Sequence, residues 1–327
     1  ESLYFAYSAL FGAHSSTHFN RRIMIPLLLI IFGMVAVVGV INRTGSICAG
    51  RRGVRLLQHL YNVLLLFRKG NVMSSQASLI TALGPIVSLA ALVVAALIVP
   101  FGTFGSLISF EGDVILFCAL LATSRVAMVL VAMDSGSSFQ GMGASRDAFF
   151  SMLVEPALYM LLATMIVITG HDSLSEVFAS FENMSLNWLM LSIVVGYGFL
   201  KLALVDCARV PISDPATHLE LTMTHEVMVL DLSGFDLAMF TIGSWLKLSI
   251  FGLLFANSLI PAHVDGLLLF LLYFVAIVIF GVIIGVGESF RARNRMNKNA
   301  TYVASIIAIG VLAFILAYML VTNLLIA

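Results

Sequence analysis

The residues best suited to chemistry lie in one polar stretch, Asp206 to Asp236, between two long apolar segments. It holds six of the chain's 17 acidic residues: Asp206, Asp214, Glu220, Glu226, Asp231 and Asp236. It also carries Arg209, His218 and His225. Carboxylates in a poorly hydrated setting have raised pKa values, and a neighbouring arginine lowers them again. Alternating the two gives a line of groups that can pass protons through water. Candidates for that line are Asp206, Asp214, Glu220, Glu226 and Asp231, with Glu155 behind them. The alternative is structural, with the acids capping helices and pairing with Arg51, Arg52, Arg146 and Arg209. Asp214 before Pro215 reads as an N-cap followed by proline at the first helical position. Leu219, Met223, Val227 and Leu230 recur at helical spacing, predicting an amphipathic helix over 215–231 that Ser233-Gly234 ends. His218 and His225 are seven apart, about 10 Å along a helix, too far to share one metal ion. They suit a partner contact or a proton buffer.

Three ionisable groups within the apolar runs stand out: Arg125, Glu155 and Lys247. A charge in hydrocarbon costs on the order of 3 kcal/mol or more unless paired or hydrated. Each should therefore face the interior of a bundle, either in a functional site or in a salt bridge that fixes helix packing.

The elements that must position these groups are membrane helices. Apolar residues make up 61% of the 327 and charged residues only 10%, against about 25% charged in soluble domains. Apolar runs long enough to cross a bilayer recur at about 23–41, 77–99, 113–133, 150–169, 187–205, 238–259, 265–286 and 302–325. The predicted fold is all-α: eight transmembrane helices, an interfacial amphipathic helix at Val54–Phe67 and a helical loop. Residues 1–22 form a separate N-terminal segment. Loops on one face cover 42–76, 134–149, 206–237 and 287–301, and Gly141-Met142-Gly143 reads as a turn. Among the connections between spans, only these odd-numbered ones carry lysine or arginine, and Arg21-Arg22 before the first span is the one misfit. That alternation predicts a cytoplasmic face there and both termini outside.

Other chemistries find no support. Net charge is zero, which gives no electrostatic case for nucleic acid. Cys48, Cys118 and Cys207 are scattered, so no cofactor or metal site is expected in this chain. No phosphate loop, nucleophile elbow or dinucleotide fingerprint is present. Arg51, Arg52 and Arg55 lie in a basic stretch, Arg43 to Lys69, that suits either a soluble partner or anionic lipid.

Three segments together resemble the complex I subunit 1 family. These are Gly50-Arg51-Arg52-Gly53 with Leu57-Gln58 and Phe67-Arg68-Lys69; Gly143-Ala144-Ser145-Arg146 with Glu155; and Asp206-x-x-Arg209-x-Pro211 with Glu220-Leu221 and Asp231-Leu232-Ser233-Gly234. Aspartates stand at 206 and 231 where quinone-reducing members carry glutamates. The Thr217-His218-Leu219-Glu220 version is more similar to the hydrogenase side of the family. The resemblance implies a subunit of a formate hydrogenlyase-type [NiFe] hydrogenase in the cell inner membrane. Hydrogenase-like large and small subunits would dock on its cytoplasmic face and carry the NiFe and iron–sulfur centres. Antiporter-like subunits would lie beside it, within lipid. A quinone-site subunit and a stand-alone ion transporter are the alternatives. The implied proton route is Glu155, Asp206, Asp214, Glu220, Glu226 and Asp231. Arg51, Arg52, Arg55, Arg125, Arg146, Arg209, His218, His225 and Lys247 would support it or dock partners.

Overall fold

The computed structural model describes residues 28–326, apart from 73, 75–76, 103–104, 181–185, 214–223, 261–265 and 295. The expected all-α membrane bundle is found. Eight helices are long and apolar enough to cross a bilayer. In chain order the elements are α1 (Leu28–Cys48), α2 (Gln58–Arg68), α3 (Leu79–Ile98), α4 (Asp113–Asp134), α5 (Ser138–Thr169), α6 (Leu174–Ala179), α7 (Leu186–Asp206), α8 (His225–Met228), α9 (Gly234–Leu259), α10 (Gly266–Phe290) and α11 (Met296–Ile326).

The bundle is built around α9. Its side chains from Trp245 to Ser258 are buried without a break, and it packs on α2, α3, α7 and α10. A helix apolar on every side is what the centre of such a bundle requires. Peripheral helices show an exposed apolar face instead, as with Ile115, Val126 and Met133 of α4, because lipid covers it. The interfacial helix α2 exposes Tyr61, Leu64, Leu65 and Phe67, a surface suited to the headgroup boundary. On the face opposite α2, buried Asp113 accepts from Ser173 Oγ (2.8 Å) and Leu174 N (2.7 Å), tying the start of α4 to the start of α6.

Several boundaries differ from expectation. The first span runs on to Cys48, so Arg43 is helical. There the Ser46 hydroxyl donates to Asn42 O at 2.7 Å. The predicted loop 134–149 shrinks to three residues, because α5 begins at Ser138 and Gly141-Met142-Gly143 lies inside it. Glu155 is consequently mid-helix, not near the start of a span that begins at about 150. The predicted helix 215–231 lies largely outside the described residues. Its described part is helical only at His225–Met228, and a turn follows at 229–231. Ser233-Gly234 opens α9 instead of closing the preceding helix.

Most of the segment after α7 is embedded in the bundle. Ala208, Val210, Ile212 and Ser213 are buried, and Ile212 joins the main core. Backbone at this depth has to find internal partners. Arg209 N donates to Leu204 O (2.8 Å) and Ala208 N to Val205 O (3.1 Å), with Ala208 in the left-handed region (φ 48°). That pairing is a Schellman closure. Pro211 O accepts from Asn294 N at 2.9 Å, and Ile212 O from Asn299 Nδ2 at 3.3 Å.

At the start of α9, Gly234 has φ 53° and meets the loop after α2. A Cβ there would stand 2.7 Å from Gly70 O and 3.0 Å from Lys69 O. Left-handed backbone costs a side-chain-bearing residue about 1–3 kcal/mol, and the contact adds to it. Gly234→Ala should lower the melting temperature of the purified protein by several degrees. An unchanged melting temperature would show that this junction is not strained.

Candidate functional site

Arg125, Lys247, Asp206 and Glu155 come from four different helices and meet in the interior. Arg125 stands nine residues from the end of α4, about 14 Å along the axis. Lys247 is thirteen residues into α9, about 20 Å. Asp206 closes α7. Arg125 Nη2 pairs with Asp206 Oδ1, and its Nη1 lies 3.1 Å from Glu155 Oε1. Lys247 Nζ lies 2.8 Å from Asp206 Oδ2 and donates to the Asp206 carbonyl at 3.2 Å. Asp206 therefore bridges two cations with one carboxylate.

The cluster is graded in exposure. The side chains of Asp206, Arg125 and Lys247 are 3%, 8% and 8% exposed, whereas that of Glu155 is 37% exposed. It thus runs from a dry centre to a carboxylate with an open side. A further acid, Asp147, feels the charges of Lys247, Arg125 and Asp206. Sequence reasoning missed it. Its signal was a spacing of eight residues from Glu155, about two turns along one helix. Buried Arg125 Nε has no acceptor among the described residues, which leaves a donor for a bridging water.

The segment next to Asp206 is also poorly hydrated. Burial pushes the Cys207 thiol up to about 12. His225, just beyond the cluster on α8, is held down to about 4. Burial is the main cause and the Lys247 charge adds to it, while Asp206 opposes. His225 is thus a neutral neighbour of the charge cluster near pH 7. His59 of α2 is likewise lowered, by burial and then by Arg209. Its ring meets Asn42 Nδ2 at 2.6 Å and stands edge-on to Trp245.

The other predicted residues lie apart from this centre. Arg209 pairs with Glu288 of α10 at 3.5 Å, and Asp206 takes α4 and α9 cations in place of the loop arginines weighed from sequence. Arg51, Arg52 and Arg55 are exposed on the loop before α2, and Arg146 is half-buried on α5. Glu226 is half-buried on α8, and Asp231 is exposed. Asp231 lines a small cavity of about 20 Å³ with Gln140, Ser233 and Asp236, room for about one water. Buried Asp236 there accepts from Asn71 Nδ2 at 2.5 Å. Asp214, His218 and Glu220 lie outside the described residues. Among the described residues no group of three His, Cys, Asp or Glu side chains is placed to hold a metal ion.

Eight membrane-crossing helices around a buried carboxylate–cation cluster define a multi-pass membrane protein with a charged interior. The chain belongs to the NADH dehydrogenase family, whose pattern matches residues 21–320. Among curated relatives it is 28% identical over 214 residues to hydrogenase-4 component C of Escherichia coli, covering 64% of this chain and 66% of that protein. It is 28% identical over 158 residues to formate hydrogenlyase subunit 4 of the same organism, covering 47% and 52%. It is 23% identical over 208 residues to an NADH-quinone oxidoreductase subunit of Methylococcus capsulatus, covering 62% and 64%. The chain thus spans about half to two thirds of the curated relatives it matches. A subunit of the archaeal membrane-bound sulfane sulfur reductase, a respiratory membrane complex, shares the fold. Its TM-score is 0.78 at 20% identity, covering 90% of this chain and 99% of that one.

Two outcomes follow for stability. Asp206→Ala strands buried Lys247 and leaves buried Arg125 with Glu155 alone, which should cost on the order of 3–5 kcal/mol. Adding Arg125→Met and Lys247→Met should recover most of that loss in thermal unfolding; failure to recover would mean that Asp206 does not act through those cations. His225 has a folded pKa near 4 against 6.5 ordinarily, so the unfolded chain takes the proton first. Stability should therefore fall as pH drops from about 6.5 towards 4. His225→Gln should flatten that part of the profile, and an identical profile would contradict the assignment.

Proposed function

We propose that this chain is the membrane anchor and proton-coupling subunit of a complex I-like [NiFe] hydrogenase of the formate hydrogenlyase type. It would sit in the cell inner membrane with both termini outside. Its cytoplasmic loops would dock hydrogenase-like large and small subunits, which carry the NiFe and iron–sulfur centres. Antiporter-like membrane subunits would receive the coupling signal. The chain itself would move protons and bind no cofactor.

The observation that carries the coupling role is the Glu155–Arg125–Asp206–Lys247 cluster. Carboxylates shared between cations in a dry interior change protonation when nearby charge changes. A redox step in a docked partner supplies such a change. Glu155, with its open side, would exchange protons with water, and Asp147 would extend the line along α5. Glu226 and Asp231, near the loop-rich surface, would feed it from the cytoplasm together with Asp214 and Glu220. Arg51, Arg52 and Arg55 would face the docked partner, and His218 would contact it. The choice of a hydrogenase rests on the two Escherichia coli relatives.

The test uses the intact complex in proteoliposomes. Glu155→Gln and Asp206→Asn should keep the redox turnover of the docked subunits and lose most proton translocation. Full translocation with full turnover would overturn the proton route. Nickel in the purified complex is expected, and quinone reduction without nickel would overturn the hydrogenase reading.

A further inference from the structure

A second feature, lined by none of the charge-cluster residues, lies at the periphery of the bundle. Between α7, α10 and α11 runs a groove of about 390 Å³, lined by Leu204, Val282 and Ile283 among others, with Lys201, Arg291 and Tyr302 at its polar end. It shares Tyr197 with a second, wholly apolar hollow of about 330 Å³ that continues to Ile193 and Leu312. From Tyr302 to Leu312 is ten residues of α11, about 15 Å of helix. That is the depth of one leaflet's hydrocarbon, half of about 30 Å.

The chemistry of the polar end is one-sided. Lys201 Nζ lies 5.4 Å over the Tyr197 ring and 5.0 Å over the Tyr302 ring, and donates to Ser305 Oγ at 3.1 Å. Among the described residues no carboxylate pairs with Lys201 or with the exposed Arg291. The nearest acid of α10, Glu288, is turned to Arg209 at 3.5 Å. The Arg291 charge acts on Tyr302, whose buried hydroxyl has no partner among the described residues. Two cations, and a hydroxyl without a partner among the described residues, thus sit where α7 and α10 end and α11 begins. Lysine and arginine at such depth reach for headgroups.

We infer that this groove is a binding site for one anionic glycerophospholipid of the surrounding leaflet. Its phosphate would bridge Lys201 and Arg291 and accept from the Tyr302 hydroxyl. One acyl chain would lie along α7 and α11 towards Ile193 and Leu312. A lipid held there would fasten α10 and α11 to α7 without occupying the bundle interior. Neither the hydrogenase reading nor the proton route is needed for it.

The experiment is lipid analysis and native mass spectrometry of the whole purified complex. It would be exchanged into nanodiscs of mixed phosphatidylglycerol and phosphatidylethanolamine, then washed in delipidating detergent. The wild type should retain phosphatidylglycerol preferentially. Lys201→Gln/Arg291→Gln should reduce that retention roughly tenfold or more, since each basic residue contributes about a factor of five. Val282→Trp fills the groove without touching the cations and should lower retention as well. If the paired variant does not assemble, Arg291→Gln alone, at an exposed position, and Val282→Trp decide the matter. Four results would overturn the site: equal retention in these variants, retention of both lipids in bulk proportion, competition by inorganic phosphate alone, or a partner helix cross-linked into the groove of a lipid-free complex.

Discussion

Asp206 is the residue on which the interior of this protein depends. Two cations, Arg125 and Lys247, lie within the bundle, where either alone would cost several kcal/mol. One carboxylate at the end of α7 answers both. To reach them, α7 has to stop at that level while α4 and α9 continue past it. The chain after it must then lie among helices, which explains the buried 207–213 segment and its Schellman closure. The charge cluster and the embedded loop are thus two consequences of one pairing.

The same arrangement gives the site its direction. From Asp206 the charges pass through Arg125 to Glu155, which alone of the four has substantial access to its surroundings. Neutral His225 and the half-buried Glu226 lie on the loop side. A centre held by balanced opposite charges responds to a nearby change of one unit more than a hydrated centre does, because the low local dielectric screens it less. That is why a cluster that contributes little net stability can still suit a coupling role.

Much of this was legible in the sequence. Eight apolar runs became eight crossing helices because hydropathy over about twenty residues is a strong, local signal. Arg125, Lys247 and Glu155 stood out because ionisable groups are costly there. Their mutual partners were not legible, since the pairings join residues 30 to 81 positions apart. From sequence alone Asp206 reads as a proton-route acid, with the loop arginines as its alternative partners. The long α5 was missed because Gly141 and Gly143 read as a turn, although a helix tolerates isolated glycine at about 1 kcal/mol each. Ser233-Gly234 reads as a stop when it is a start, because serine and glycine serve at either end of a helix. The groove between α7, α10 and α11 has no sequence signature at all, being made where three helices fail to close.

The central claim is that carboxylates of this cluster change protonation when a docked partner turns over. Redox-triggered infrared difference spectroscopy on the intact complex tests it directly. A carboxyl band should appear or vanish on reduction and should be lost or shifted in both Glu155→Gln and Asp206→Asn. A difference spectrum without carboxyl bands, or one unchanged in both variants, would contradict it.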